Sequence, residues 1–172
     1  MKQKQRKTNK RRFGFTLIEL LVVLLILGVL TGLAVPRYME AQKYAKARTF
    51  AANVREIITA LEQYNAQSTL ANPSAPGYPK TEEFETEMAK MFTQAPINPY
   101  TGTSMLTAGE NATDNVAGFT YTSDGTTWTI TITQLNVDGL NGKSADAPLY
   151  EAVPELFGGI STDGKFTSAP VD

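Results

Sequence analysis

From Phe15 to Val35 every side chain is apolar or glycine except Thr16, Glu19 and Thr31. As a helix, that run extends roughly 31 Å at 1.5 Å per residue, against a hydrocarbon layer of about 30 Å. It reads as a bilayer-spanning segment over residues 15–36. Helical spacing then continues with a different meaning. Phe50, Val54, Ile57, Ile58, Leu61 and Tyr64 recur three and four positions apart, which marks one buried face. Asn53, Arg55, Glu56, Thr59, Glu62 and Gln63 lie between them and supply a wet face. The spacing predicts one long helix from about Phe15 to about Gln67, amphipathic within residues 37–71. Pro36 lacks an amide hydrogen and crowds the preceding turn, so a bend or loosened turn is predicted there.

The stretch Ala71-Asn72-Pro73-Ser74-Ala75-Pro76-Gly77-Tyr78-Pro79 cannot continue a helix, and residues 72–172 are expected to form a globular head. Thr81 is the expected N-cap of a short helix, with Glu82 and Glu83 in its first turn. Phe84, Met88, Met91 and Phe92 share one face of it, a stripe suited to core packing. Pro96-Ile97-Asn98-Pro99-Tyr100-Thr101-Gly102 is rich in turn residues. Phe119 and Tyr121 then alternate with threonines, Asp124-Gly125 intervenes, and Trp128, Ile130 and Ile132 alternate again. That pattern predicts a β-hairpin with its aromatic and β-branched face on the long helix and its threonine face toward solvent. The tail carries turn signals at Asp138-Gly139, Asn141-Gly142, Gly158-Gly159 and Asp163-Gly164, and a third strand is expected from Gln134. The fold class is α+β: a long N-terminal helix on a small antiparallel sheet.

Composition narrows the chemistry. The 172 residues contain neither cysteine nor histidine, which removes disulfides, thiolate and imidazole metal ligands, and the side chain best suited to proton transfer near neutral pH. No nucleophile and base stand at a recognisable spacing, so no enzyme and no cofactor are expected. Asp138, Asn141, Ser144 and Asp146 place several oxygens in one stretch, but their order departs from the EF-hand pattern. Calcium ligation and ordinary turn chemistry compete there, and no metal is assigned.

The net charge of −1 conceals an asymmetry, because seven of the 16 basic residues fall in the first 14 positions with no acid among them. Nine basic side chains then face 17 acidic ones, so no direct nucleic-acid binding is expected. The basic cluster before the apolar run outweighs Arg37, Lys43, Lys46 and Arg48 after it, which predicts a cytoplasmic N-terminus and a single pass. A cleaved secretory signal ending near Gly32-Leu33-Ala34 and a plain signal anchor are competing readings of the same run. The first calls for an apolar run of only about 7–15 residues. Gly28 and Gly32 fit close helix packing or simple tolerance of glycine in membrane helices. Glu19 is the informative residue, since a carboxylate inside an apolar helix costs a few kcal/mol unless something compensates it. No basic side chain lies three or four positions away, so its partner is expected on another copy of the chain or at a newly cut N-terminal amine.

The basic leader, Gly14-Phe15-Thr16-Leu17-Ile18-Glu19 and the unbroken apolar run after it closely resemble the class III leader of type IV pilins and type II secretion pseudopilins. Pro36 falls in the same register. The resemblance implies a pilin-like fold and a structural filament subunit. It implies cleavage by a prepilin peptidase after Gly14 and methylation of the new amine of Phe15. It further implies a helical homopolymer built through the N-terminal helices, with Glu19 pairing to a neighbour's amine and Pro36 in the assembly helix. The implied partners are the chain itself, the prepilin peptidase, an inner-membrane platform protein, an assembly ATPase, and membrane lipid before assembly. The implied location is the membrane, then a cell-surface or periplasmic filament. Asn98-Pro99-Tyr100 loosely resembles a stretch of the major secretion pseudopilins, and some of these carry a calcium loop near the C-terminus. A type IV pilus, a type II secretion pseudopilus and a competence pilus stay open, with a membrane-tethered binding domain as the distant alternative.

Overall fold

Helix α1 spans Leu17–Ala71, 55 residues with Pro36 inside it, in the computed structural model, which describes residues 15–73, 77–107, 118–132, 140, 148–161 and 164–168. The chain divides into two compact units between Met39 and Glu40. The helix extends a turn beyond the expected Gln67 and stops before Pro73. Its threonines do not break it, because Thr31, Thr49, Thr59 and Thr69 each return a hydroxyl bond to the carbonyl four residues back, at 2.7–3.0 Å. For Thr31, inside the apolar run, that bond removes the polar atom's need for water.

In the second unit α1 buries Ala47, Phe50, Ala51, Val54, Ile57, Ala60 and Leu61, while Ile58 and Tyr64 pack against the core from its edge. The alanines let the helix approach its neighbours, and the large side chains fill the space beyond. Phe50 presents to the edge of Tyr100 at 6.1 Å between ring centroids and to Phe157 at 6.5 Å.

The expected short helix is present as α2, Phe84–Met91, but Thr81 does not cap it. A 3-10 turn occupies Thr81–Glu83, preceded by Lys80, whose amide donates to the Glu83 carboxylate at 3.3 Å. The Thr81 hydroxyl instead accepts the Ser123 amide at 2.9 Å and donates to the Ser123 carbonyl at 3.2 Å. One hydroxyl thus closes the strand edge at Ser123. The helix stripe behaves as expected: Phe84 and Met88 are buried, and Phe84 stacks on Tyr121 at 4.0 Å.

The hairpin forms from β1, Phe119–Ser123, and β2, Trp128–Ile132, antiparallel with Tyr121 opposite Ile130. Its loop holds itself together. Asp124 Oδ1 accepts the Thr126 and Thr127 amides, each at 2.8 Å, and Gly125 takes φ +93°, which favours glycine. The Thr127 and Thr126 amides hold the Asp124 carboxyl below its ordinary range. The Gly125 carbonyl accepts the Tyr78 amide at 2.8 Å, and a Cβ on Gly77 would strike that carbonyl oxygen. Tyr121, Trp128, Ile130 and Ile132 are buried, whereas Thr122 is exposed and Thr120, Thr129 and Thr131 are half-buried. Burial pushes the Tyr121 hydroxyl up to about 12, so it stays protonated and donates to the Pro79 carbonyl at 2.7 Å.

The third strand is β3, Lys165–Thr167, antiparallel to β2 in the order β1-β2-β3. The strand expected from Gln134 lies outside the described residues. β3 is short because only Phe166 turns inward between exposed Lys165 and Thr167, and a three-residue alternation is too brief to stand out in sequence. Helix α3, Leu149–Ala152, and a 3-10 turn, Pro154–Leu156, precede it. This tail, marked in sequence by its turn signals, delivers Leu149, Ala152, Val153, Phe157 and Phe166 to the core.

Candidate functional site

The start of α1 is built by two side chains. Leu17 is the first helical residue, and Thr16 stands at the N-cap. The Thr16 amide and the Thr16 hydroxyl both donate to Glu19 Oε2, each at 2.9 Å. In return the Glu19 amide donates to the Thr16 hydroxyl at 3.3 Å. This is a reciprocal capping box, in which amides left without a carbonyl at a helix start are satisfied by side chains. Glu19 also lies in the first turn, where a negative charge meets the positive end of the helix dipole.

Within its own chain Glu19 thus has two hydrogen-bond donors, beside which the expected positive partner is a different group. The donors are a hydroxyl and a backbone amide rather than the base that the expectation calls for. The signal was legible, since a threonine three positions before a glutamate at the head of an apolar run is the sequence form of a capping box. Both donors converge on Oε2, and Glu19 is exposed, so the carboxylate can accept a further donor.

Around it the large apolar side chains stand in the open. Phe15 is 80% exposed and Leu17 81%, and Val22 still 44%. The exposure continues to Val35, giving one helix long and apolar enough to cross a membrane among the described residues. Gly28 and Gly32 have open space where a Cβ would stand, so the packing of this chain on itself requires neither. Pro36 lies in the same helix, Phe15 just ahead of it, and Gly14 outside the described residues.

The other singled-out residues divide in the same way. Asp138, Asn141, Ser144 and Asp146 lie outside the described residues, among which no cluster of three or more acidic side chains is placed to hold a metal. Asn98, fully buried, organises the turn-rich stretch. Its Oδ1 accepts the Tyr100 amide at 2.9 Å, its amide donates to the Thr103 carbonyl, and its carbonyl accepts the Gly102 amide. Asn53 on α1 donates to the Ile97 carbonyl at 2.7 Å, a tie across the fold that no local pattern announces.

Residues 9–35 match the family model described as the prokaryotic N-terminal methylation motif. The chain is 38% identical over 66 residues to the type II secretion system core protein G of Pseudomonas aeruginosa, a match covering 38% of this chain and 46% of that protein. It is 36% identical over 56 residues to the type IV major pilin protein PilA of Myxococcus xanthus, covering 33% and 26%. The type II secretion system core protein G of Vibrio cholerae is 26% identical over 137 residues, covering 79% and 88%. The chain thus spans about half or less of the length of the first two relatives. No solved structure matches it significantly. The chain is thus similar, most strongly along its N-terminal motif, to a type IV major pilin and to core G proteins of type II secretion systems.

Proposed function

We propose that this chain is the precursor of a filament subunit, anchored in a membrane by the apolar half of α1 and polymerised through that helix. A prepilin peptidase cuts after Gly14, the new amine of Phe15 is methylated, and the head is presented outside with the N-terminus cytoplasmic. The carrying observation is the exposed apolar face from Phe15 to Val35 with one carboxylate at its head, coincident with the methylation motif. In water such a face is strongly unfavourable, at about 25 cal/mol per Å² of apolar surface. Lipid and the helices of neighbouring copies are the two surroundings that suit it.

Glu19 then has a role in each. In lipid the capping box satisfies part of its hydrogen-bonding demand, and in the filament a neighbour's Phe15 amine adds a charge-assisted bond. The removal of the seven leader bases leaves that amine as the positive group at the helix start. Assembly would also engage a platform protein and an ATPase.

A second reading within the same class, a type II secretion pseudopilin, is favoured by the reach of the similarity. The match to the Vibrio cholerae protein extends over 79% of this chain and so into the head, while the match to the type IV pilin covers 33%. Intact-mass measurement on membrane-extracted protein tests the processing step shared by both readings. The expected chain begins at N-methylated Phe15. A chain retaining Met1, or one beginning at Val35, would refute the proposal.

A further inference from the structure

The outer side of the hairpin holds a cleft of about 280 Å³ lined by Thr81, Thr122, Ser123, Asp124, Thr127 and Thr129. It lies wholly within the second compact unit. Strand alternation builds it: Tyr121, Trp128 and Ile130 turn into the core, so Thr122 and Thr129, which pair across the strands, turn the other way. The hairpin loop adds Asp124 and Thr127, and the turn before α2 adds Thr81. The hydroxyl hydrogens of this wall are committed. Thr81 donates to the Ser123 carbonyl at 3.2 Å, Ser123 to the Thr127 carbonyl at 2.9 Å, and Thr122 to the Thr129 carbonyl and Thr127 to Asp124 Oδ1, each at 3.4 Å. A hydroxyl has one hydrogen and two lone pairs, so what these groups offer a ligand is acceptor capacity. Thr81 and Ser123 each spend one lone pair, on the Ser123 and Gly125 amides. Asp124 adds an exposed carboxylate, and the loop's donors converge on its Oδ1. The Thr127 and Thr126 amides hold it below the ordinary carboxyl range, so it is ionised at neutral pH.

We infer that this cleft binds a neutral saccharide ring, held through the ring's hydroxyl groups. Other ligand classes answer the wall less well. An anion is repelled by Asp124, and an apolar ligand meets only threonine methyl groups. A lone ammonium engages Asp124 and leaves the hydroxyl oxygens unused. A calcium-type ion takes about six to eight oxygens, and among the described residues no group of three acidic side chains is placed to hold a metal. A sugar uses the whole wall: neighbouring hydroxyls of the ring donate to the two oxygens of a carboxylate, and others donate to the threonine and serine oxygens. The volume falls just below the range of about 300–1,000 Å³ typical of sites for drug-sized ligands, which suits one ring. The bonds that fix the hydroxyls lower the ordering cost of binding. The lining has no aromatic platform, so the affinity is modest, with a dissociation constant of about 1–10 mM. The site uses the head alone and stands apart from the filament reading.

Saturation-transfer NMR on the full chain, in a detergent without sugar groups, tests the site. The probes are methyl glucoside, methyl galactoside and methyl mannoside as single rings, and dextran as a chain of rings. At least one single ring is expected to bind in the range given. Dextran binding without single-ring binding supports the site too, and assigns the ring to a glycan chain. Thr122→Val/Thr129→Val removes two hydroxyls while keeping side-chain shape and strand preference. It is expected to weaken binding about tenfold and to leave the Trp128 unfolding midpoint in place. Should that variant melt early, Thr122→Val alone, at an exposed position, is expected to weaken binding about threefold. Thr120→Val lies on the same side of the sheet, opposite Thr131 and outside the lining, and leaves binding unchanged. No binding of any of these probes up to about 50 mM overturns the inference. So does binding that the Thr122 and Thr129 variants retain, or an equal loss in Thr120→Val. Binding of ethylammonium in place of the sugars overturns it as well, and assigns the cleft to cations.

Discussion

Phe50→Ala tests whether the outward half of α1 is part of the head's core or only a stalk beside it. Phe50 is fully buried, and truncating such a phenylalanine costs about 3–5 kcal/mol in lost transfer energy and residual cavity. The rings of Tyr100 and Phe157 pack against it, each pair adding about 0.5–1.5 kcal/mol beyond buried area, which places the cost in the upper part of that range. At about 4 °C per kcal/mol for a domain of intermediate size, the midpoint falls by about 16–20 °C. The single tryptophan, Trp128, lies in β2 and is 4% exposed, so its emission reports the sheet while the substitution sits on the helix. Thermal unfolding of the full chain in detergent is followed by that emission. Two controls bracket the result. Ile57→Val, at another fully buried position, costs about 0.5–1.5 kcal/mol, and Leu70→Ala, 84% exposed, changes stability by less than about 0.5 kcal/mol. A Phe50→Ala chain whose Trp128 transition shifts no more than that of Leu70→Ala would show that helix and sheet do not share one core.

Three further outcomes are expected. Glu19→Leu accumulates in the membrane and is cleaved, yet yields few or no filaments by electron microscopy when normalised to the cleaved pool; normal filament yield would make the carboxylate a passenger. Asp124 has its folded-state ionisation held below the ordinary carboxylate range, so the stability it contributes is present above its unfolded-state value and lost as pH falls through the lower folded value. The midpoint of Asp124→Asn should therefore drop less than the parent's between neutral pH and strong acid, and an equal drop in both would refute a stabilising role for that charge. Calcium and chelator should leave the thermal midpoint of the full chain unchanged, and a shift of many degrees would assign Asp138, Asn141 and Asp146 to a metal site.

What sequence revealed followed from how local its causes were. The helix from Leu17 to Ala71 was legible because two periodic signals, one fully apolar and one amphipathic, meet without a break. The hairpin was legible because strict alternation flanks Asp124-Gly125, and the register pairs the alternating residues as expected. Thr81 misled because a threonine before two glutamates resembles a cap, while its hydroxyl serves Ser123, 42 positions away. β3 was hidden for a similar reason: its one inward residue, Phe166, acquires meaning only opposite Ile130. At the candidate site Glu19 and Phe15 stood out at once. The Thr16 partnership is equally local, but its donors are uncharged and so do not answer the carboxylate's demand for a base.

The two parts of α1 meet their packing demands from different sources. Ala47, Phe50, Val54, Ile57 and Leu61 find their neighbours within the same chain, so their burial is settled when the monomer folds. The side chains from Phe15 to Val35 remain exposed, and their free energy depends on the medium around them. A helix hydrophobic on every side gains little by exchanging lipid for other apolar helices, since both remove it from water. What can favour one surrounding over the other is then the polar remainder: the Glu19 carboxylate and the amine that cleavage would expose. On the proposed reading, a few charges rather than the apolar surface would decide whether a subunit stays in the membrane or leaves it. It also separates the two functions experimentally. Glu19→Leu should leave the Trp128 unfolding midpoint where it was, and Phe50→Ala should leave membrane insertion intact. A Glu19→Leu chain whose head melts early would break that separation, because it would mean that the start of α1 contributes to the fold of the head.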